Sequence, residues 1–255
     1  MWVNNAMATV FAPVKQISPE EYRRVTEVTY LGVVNGTLAA LGRMLPRDSG
    51  TIVQVGSALA YRSIPLQSAY CAAKHAVLGF TESLRTELLH DGFSVHVTMV
   101  HLPGMNTPQF EWSRSRMPRK ATPVPPIYEP EVAARAIAWA AQHPEQREIK
   151  VGWPTFQAIY GERIAPGLAD RVLGRRGYED QQTDEAEDPE RPDNLWAPVA
   201  GPYAARGRFS ERASTRSPLT WASTHRGAVA LAAGGVALFL AAAGPHLRAL
   251  GRGRT

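Results

Sequence analysis

Two short apolar runs bracket one long amphipathic stretch, and few architectures accept that order. Thr51–Val55 is rich in β-branched residues and free of charge, which suits a strand buried on both faces. From Gln67 to His90 the apolar positions Ala73, Val77, Phe80, Leu84 and Leu88 recur at three and four, the spacing of one helical face. Asp91-Gly92 turns the chain, and Phe93–Val100 alternates before running apolar, as a second strand does. A strand, a long helix and another strand predict two parallel strands joined by a crossover.

The flanking sequence repeats the pattern. A short apolar piece ends at Asn4-Asn5. Ser18-Pro19-Glu20-Glu21 then supplies a capping serine, a proline at the first helical position and acids in the first turn. That helix should run to about Leu41. Glu129-Pro130-Glu131 opens another through Ala141, and Arg147–Gly152 reads as a last strand. Four strands alternating with three helices predict an α/β fold, a doubly wound parallel sheet with helices on both faces.

Composition narrows the function classes. At 255 residues, 44% of them hydrophobic and 20% charged, the chain can bury a core of its own. The net charge is +5, but eight arginines and a single acid, Glu211, fall within the last fifty residues. The remainder is close to neutral and carries no nucleic-acid-binding motif, so no nucleic-acid partner is expected. One cysteine, Cys71, excludes an intrachain disulfide and suits a reducing, cytoplasmic compartment. Cys71 adjoins Tyr70, but adjacent helical residues point about 100° apart, and a small packed residue is the better reading than a redox one. The seven histidines lack metal-ligand spacing, and no metal site is expected.

Chemistry gathers between Gly56 and Lys74. Tyr70 and Lys74 are four apart, so a helix puts both on one face. A phenol with a pKa near 10 is a weak acid–base catalyst at neutral pH, and an adjacent ammonium lowers it. Ser57, thirteen residues before Tyr70 at the end of the first run, can hold a substrate oxygen while Tyr70 gives or takes its proton.

Ser57 with Tyr70-x-x-x-Lys74 resembles the active-site segment of the short-chain dehydrogenase/reductase family residue for residue. The resemblance covers roughly residues 2–152. Asn4, Asn5 and Ala6 match the family's Asn-Asn-Ala-Gly motif, with Met7 in place of the glycine. Pro103, Gly104 and Thr107 match its Pro-Gly and the threonine that touches the nicotinamide carboxamide. Thr29, in Val28-Thr29-Tyr30-Leu31-Gly32, stands where the family has a catalytic asparagine, which puts its water-linked proton relay in doubt. The resemblance implies NAD(P)-dependent interconversion of an alcohol and a carbonyl. Tyr70 is then the acid–base, Lys74 lowers its pKa and holds the nicotinamide ribose, and Ser57 positions the substrate oxygen. Asn4, Tyr70, Lys74, Pro103, Gly104 and Thr107 are the implied cofactor contacts, with NAD or NADP as cofactor and NADP preferred. It also implies a homo-oligomer built on the helices before and after Thr51–Val55. Residues 108–129, with Phe110, Trp112 and Met117, fall where the family keeps a mobile substrate lid, and a plain surface loop is the other reading; the aromatics suggest an apolar alcohol or ketone.

No glycine-rich strand–turn–helix for a pyrophosphate is found in the chain. Residues 1–177 therefore read as the C-terminal portion of a Rossmann-like domain without that unit. The alternative is a truncated or non-catalytic relative serving as a membrane-attached interaction module. Residues 178–226, acidic and proline-rich and then basic, read as a disordered linker. Residues 227–244 carry no charged or polar side chain. As a helix they reach about 27 Å, enough for a membrane-attached apolar helix, a soluble helix being the other reading. A basic tail, 245–255, follows.

Overall fold

A computed structural model describes residues 1–201 and 204–231. β1 (Trp2–Asn4) and β2 (Val10–Phe11) lead to α1 (Pro19–Thr26), which continues through a π-helical stretch, Glu27–Leu31, into α2 (Gly32–Met44). β3 (Gly50–Ser57), α3 (Ser68–His90) and β4 (Val95–Leu102) form the predicted crossover unit. Next come α4 (Gln109–Trp112), β5 (Arg114–Ser115), β6 (Arg119–Ala121) and β7 (Ile127–Tyr128). α5 (Pro130–Gln142), β8 (Glu148–Lys150), α6 (Gly152–Ile164) and α7 (Pro166–Arg176) follow. β9 (Gln182–Ala186), β10 (Ala213–Ser214) and α8 (Pro218–Thr224) come last.

The main sheet has the order β1-β3-β4-β8 with every pair parallel. Alternation along β3 sends Ile52 and Val53 to opposite faces. Ile52 packs with Leu41, Met44, Leu84 and Leu88 of α2 and α3, whereas Val53 packs with Val132, Ala136 and Ala140 of α5. Helices thus cover both faces, as a parallel sheet requires.

A buried amide fixes the edge strand. Asn4 Nδ2 donates to Gln54 Oε1 (2.9 Å) and Thr37 Oγ1 (3.0 Å), and Asn4 Oδ1 accepts from Trp2 Nε1 (2.8 Å). Gln54 Nε2 donates to the same Thr37 hydroxyl at 3.0 Å. Position 36 must be glycine for α2 to lie this close, because a Cβ there would stand 2.3 Å from Asn4 Oδ1. Asn4 therefore ties β1, β3 and α2 together and turns away from the cavities described below.

The structure corrects the linker expectation. β9 pairs antiparallel with β6, and β10 pairs with β7. Leu195 is fully buried against Val10, Val25 and Ala73, and Phe209 against Phe11 and Phe110. Acidic side chains that suggested solvation are paired instead, Asp193 with Arg114 at 2.7 Å and Glu185 with Lys120 at 2.8 Å. The anchor is Glu21, which completes the Ser18 capping box and accepts from Arg114 (2.9 Å) and Arg116 (2.6 Å). Burial alone would raise its carboxyl; hydrogen bonds from Arg116, the Ser18 N–H and Arg114 more than reverse that and hold it down to about 2.

Among the described residues no helix is long and apolar enough to cross a membrane. Most of the predicted 227–244 helix, and all of the 245–255 tail, lie outside the described residues.

Candidate active site

Parallel strands leave a crevice beyond their C-terminal ends. β3 ends at Ser57 and β4 at Leu102, side by side in register, and α3 begins opposite them. The Ser57 hydroxyl accepts from Leu59 N–H (3.1 Å), which turns the chain sharply out of the strand. Gly56 lets the fully buried His101 press against β3, since a Cβ there would lie 2.7 Å from the ring Nδ1.

The start of α3 is held by an unusual residue. Leu66 adopts φ +70°, left-handed backbone that costs a branched side chain roughly 1–2 kcal/mol. Its side chain is buried with Phe11, Phe110 and Ile127, and its carbonyl accepts from Ala12 N–H at 2.9 Å. That packing fixes where α3 starts, and so where Tyr70 and Lys74 point.

Lys74 is buried, and its Nζ donates to the Val55 carbonyl at 2.7 Å while standing 5.6 Å from the Tyr70 ring centroid. Burial depresses the Lys74 ammonium to about 8. Burial also pushes the Tyr70 phenol up, with a hydrogen bond to Ser57 pulling the other way. This differs from the sequence expectation that Lys74 lowers the Tyr70 pKa. One donor of the ammonium goes to Val55 and the group stands 5.6 Å from the ring centroid, so desolvation of the phenol dominates. At neutral pH Tyr70 is a phenol, ready to donate.

Two cavities meet at Ser57, Tyr70 and Gln109. One, about 370 Å³, is lined by Asn5, Val55, Lys74, Pro103, Thr107, Trp112 and Asn194 among others. The other, about 180 Å³, extends past Ala58, Ile64, Gln67, Gly104, Phe110 and Val124. Gly104 is required at this wall, because a Cβ would sit 2.6 Å from the Val124 carbonyl oxygen. A larger cavity of about 530 Å³ between α5 and α8, lined by Trp139 and Trp221, holds no paired acid–base groups.

The sequence-predicted residues divide accordingly. Ser57, Tyr70, Lys74, Pro103, Gly104 and Thr107 converge on the cavities. Asn4, expected as a cofactor contact, does not, because successive strand residues face opposite ways and its neighbour Asn5 takes that place. Thr29 lies fully buried in the π-helical stretch, where its hydroxyl accepts from Ala8 N–H (2.9 Å) and donates to Ala8 C=O (3.0 Å). Both capacities are used on the backbone after β1. Phe110 and Met117 of the 108–129 stretch are buried, Met117 within the Phe11–Phe209 cluster rather than at a cavity. Gln67, Gln109 and Asn194 were not anticipated. Gln109 adjoins the flagged Phe110, but Asn194 arrives from 82 or more residues beyond the others lining that cavity, with no local signal.

The comparisons agree with this geometry. A family model described as short chain dehydrogenase matches residues 1–117, which include all of these motifs. "Uncharacterized oxidoreductase YxnA" of Bacillus subtilis (strain 168) is 31% identical over 244 residues, covering 91% of this chain and 67% of that protein. "Dehydrogenase/reductase SDR family member 7" of Homo sapiens is 43% identical over 86 residues, covering 34% of this chain and 25% of that protein. The chain thus spans two thirds of the first and a quarter of the second. A crystal structure of a short chain dehydrogenase from Burkholderia cenocepacia J2315 in complex with NADP superposes with a TM-score of 0.55, at 26% identity over 67% of each chain. With a 31% identical relative aligned over 91% of this chain and 67% of its own length, and the family model matched across the strands and helix that carry the serine, tyrosine and lysine, this chain belongs to the short chain dehydrogenase family.

Proposed function

We propose that the chain carries the substrate-side chemistry of an NAD(P)-dependent oxidoreductase interconverting an alcohol and a carbonyl. The observation that carries this reading is the meeting of two cavities at Ser57 and Tyr70, with a buried lysine on one side only. The residues present fit the nicotinamide-riboside half of a cofactor. Lys74 has three donors and spends one on Val55, leaving two to face the 370 Å³ cavity. Asn5 and Thr107 add amide and hydroxyl groups to the same wall. The family resemblance and the NADP-bound relative support NADP, with NAD as the other member of the pair. Among the described residues no glycine-rich turn joins a strand to a helix, so none is assigned to a pyrophosphate.

A bound nicotinamide supplies or accepts the hydride. Tyr70 gives its proton to the carbonyl oxygen during reduction, and Ser57 holds that oxygen in place. Lys74 would hold ribose hydroxyls of that cofactor. Exposed Leu31 and Leu38 on the π-stretch and α2 support a homo-oligomer through that face, in line with the family resemblance.

Titration with NADPH and NADH, followed by nicotinamide fluorescence, tests the reading. Saturable binding is expected that survives in Ser57→Ala and weakens about tenfold in Lys74→Met, as the loss of a charge-assisted contact implies. Folded protein that binds neither nucleotide contradicts it.

A further inference from the structure

The 180 Å³ cavity states what kind of molecule it takes. None of its lining residues is charged, and Lys74 faces only the other cavity. A carboxylate or ammonium moved here loses its hydration with no counter-ion in return. Its walls are apolar, formed by Leu59, Ile64, Leu102, Phe110, Val124 and Ala158. A cavity of about 150 Å³ accommodates one benzene ring, so this one, which opens into the other cavity, has room for one six-membered ring beside the reacting oxygen.

Two amides interrupt the apolar wall, and they differ. Gln67 Nε2 donates to Gln181 Oε1 (2.8 Å), while Gln181 is itself pinned by the carbonyls of Pro65 (2.9 Å) and Gly177 (2.6 Å). That chain fixes the Gln67 side chain as part of the wall. Gln109 is different: no described residue hydrogen-bonds its side-chain amide. It stands where the cavities join, beside the Ser57 and Tyr70 that hold the reacting oxygen, and offers both a donor and an acceptor.

We infer that the substrate is an uncharged, single-ring-sized carbonyl compound or its alcohol, and that Gln109 selects those bearing a second hydrogen-bonding oxygen. This rests on the proposed oxidoreductase reading, since that reading places the reacting oxygen at Ser57 and Tyr70. Specificity then comes from one amide at the start of α4 and from the absence of any charge. An amide with no partner among the described residues favours ligands that supply one.

Binding without cofactor tests this apart from turnover. Cyclohexanone, 4-hydroxycyclohexanone and 4-oxocyclohexanecarboxylate are titrated against the full chain by calorimetry, with chemical shifts of the ligand as a second readout. The hydroxyketone should bind roughly fivefold more tightly than cyclohexanone, the worth of one neutral hydrogen bond. The carboxylate should bind at least about a hundredfold more weakly. Gln109→Leu should keep cyclohexanone binding and abolish the hydroxyketone preference. Equal or tighter binding of the carboxylate overturns the inference, as does a preference that survives Gln109→Leu. The wild-type series decides the charge rule even if the variant fails to fold. Ring ketones that bind to protein unable to bind NADPH would sink the oxidoreductase reading and leave the pocket inference standing; NADPH binding without any ring-ketone binding would do the reverse.

Discussion

Tyr70→Phe should lower turnover about a thousandfold, the range of a lost general acid, while NADPH affinity changes less than twofold. The substitution removes one oxygen and leaves the ring against Lys74, so the two cavities keep their shape. The pH profile gives a second signature. Burial raises the Tyr70 phenol above its ordinary value, so the proton donor persists into alkaline solution. Carbonyl reduction should therefore stay flat across neutral pH. Alcohol oxidation needs the deprotonated form and should keep rising with pH. A reduction rate that already falls off well below pH ~10, the value of a free phenol, would contradict the half-buried Tyr70 as the acid.

Lys74→Met should impair cofactor binding and yet raise stability. Its ammonium is depressed from 10.5 to about 8 by burial alone. The unfolded chain therefore holds this proton more tightly than the folded one, and a penalty of about 3 kcal/mol is fully present below pH 8. It is relieved as pH rises from about 8 toward 10.5, where only the unfolded state is protonated. Losing the hydrogen bond to Val55 offsets part of the gain, leaving about 1–2 kcal/mol in favour of the variant near neutrality. For a chain of this size that amounts to roughly 2–8 °C in Tm. Denaturant titrations of both proteins at several pH values check it: the difference should shrink between pH 8 and 10. A variant less stable than wild type at every pH would mean that Lys74 supports the fold rather than burdening it.

How far the sequence was legible depended on range. β3, α3 and β4 were readable because strand alternation, helical spacing and the Asp91-Gly92 turn are local. Their predicted bounds fall within two or three residues of those observed. Ser57, Tyr70 and Lys74 were readable for the same reason, being placed by one strand end and one helical turn. Asn4 was misplaced because a motif fixes which residues are near a site but not which of two neighbours faces it. Once β1 pairs with β3, Gln54 and Thr37 claim the Asn4 amide. Helices α6 and α7 were missed, as α6 carries Pro154 within its first turn and α7 buries no side chain. The 178–226 stretch was misread because its composition holds too little apolar surface for a core of its own. It borrows one instead, through Leu195 and Phe209, and its acids find arginines far away in sequence. The Lys74–Tyr70 electrostatics could not be read from spacing either, since the sign turned on burial and on the Val55 carbonyl.

The most direct test is label transfer. Protein is incubated with cyclohexanone or 4-hydroxycyclohexanone and NADPH carrying deuterium at the transferable position, and the alcohol is weighed by mass spectrometry. One deuterium per product molecule from wild type, and none above background from Tyr70→Phe, is the predicted result. Saturable NADPH binding with no label reaching any uncharged carbonyl, or equal transfer by both proteins, would contradict hydride-transfer chemistry at Tyr70.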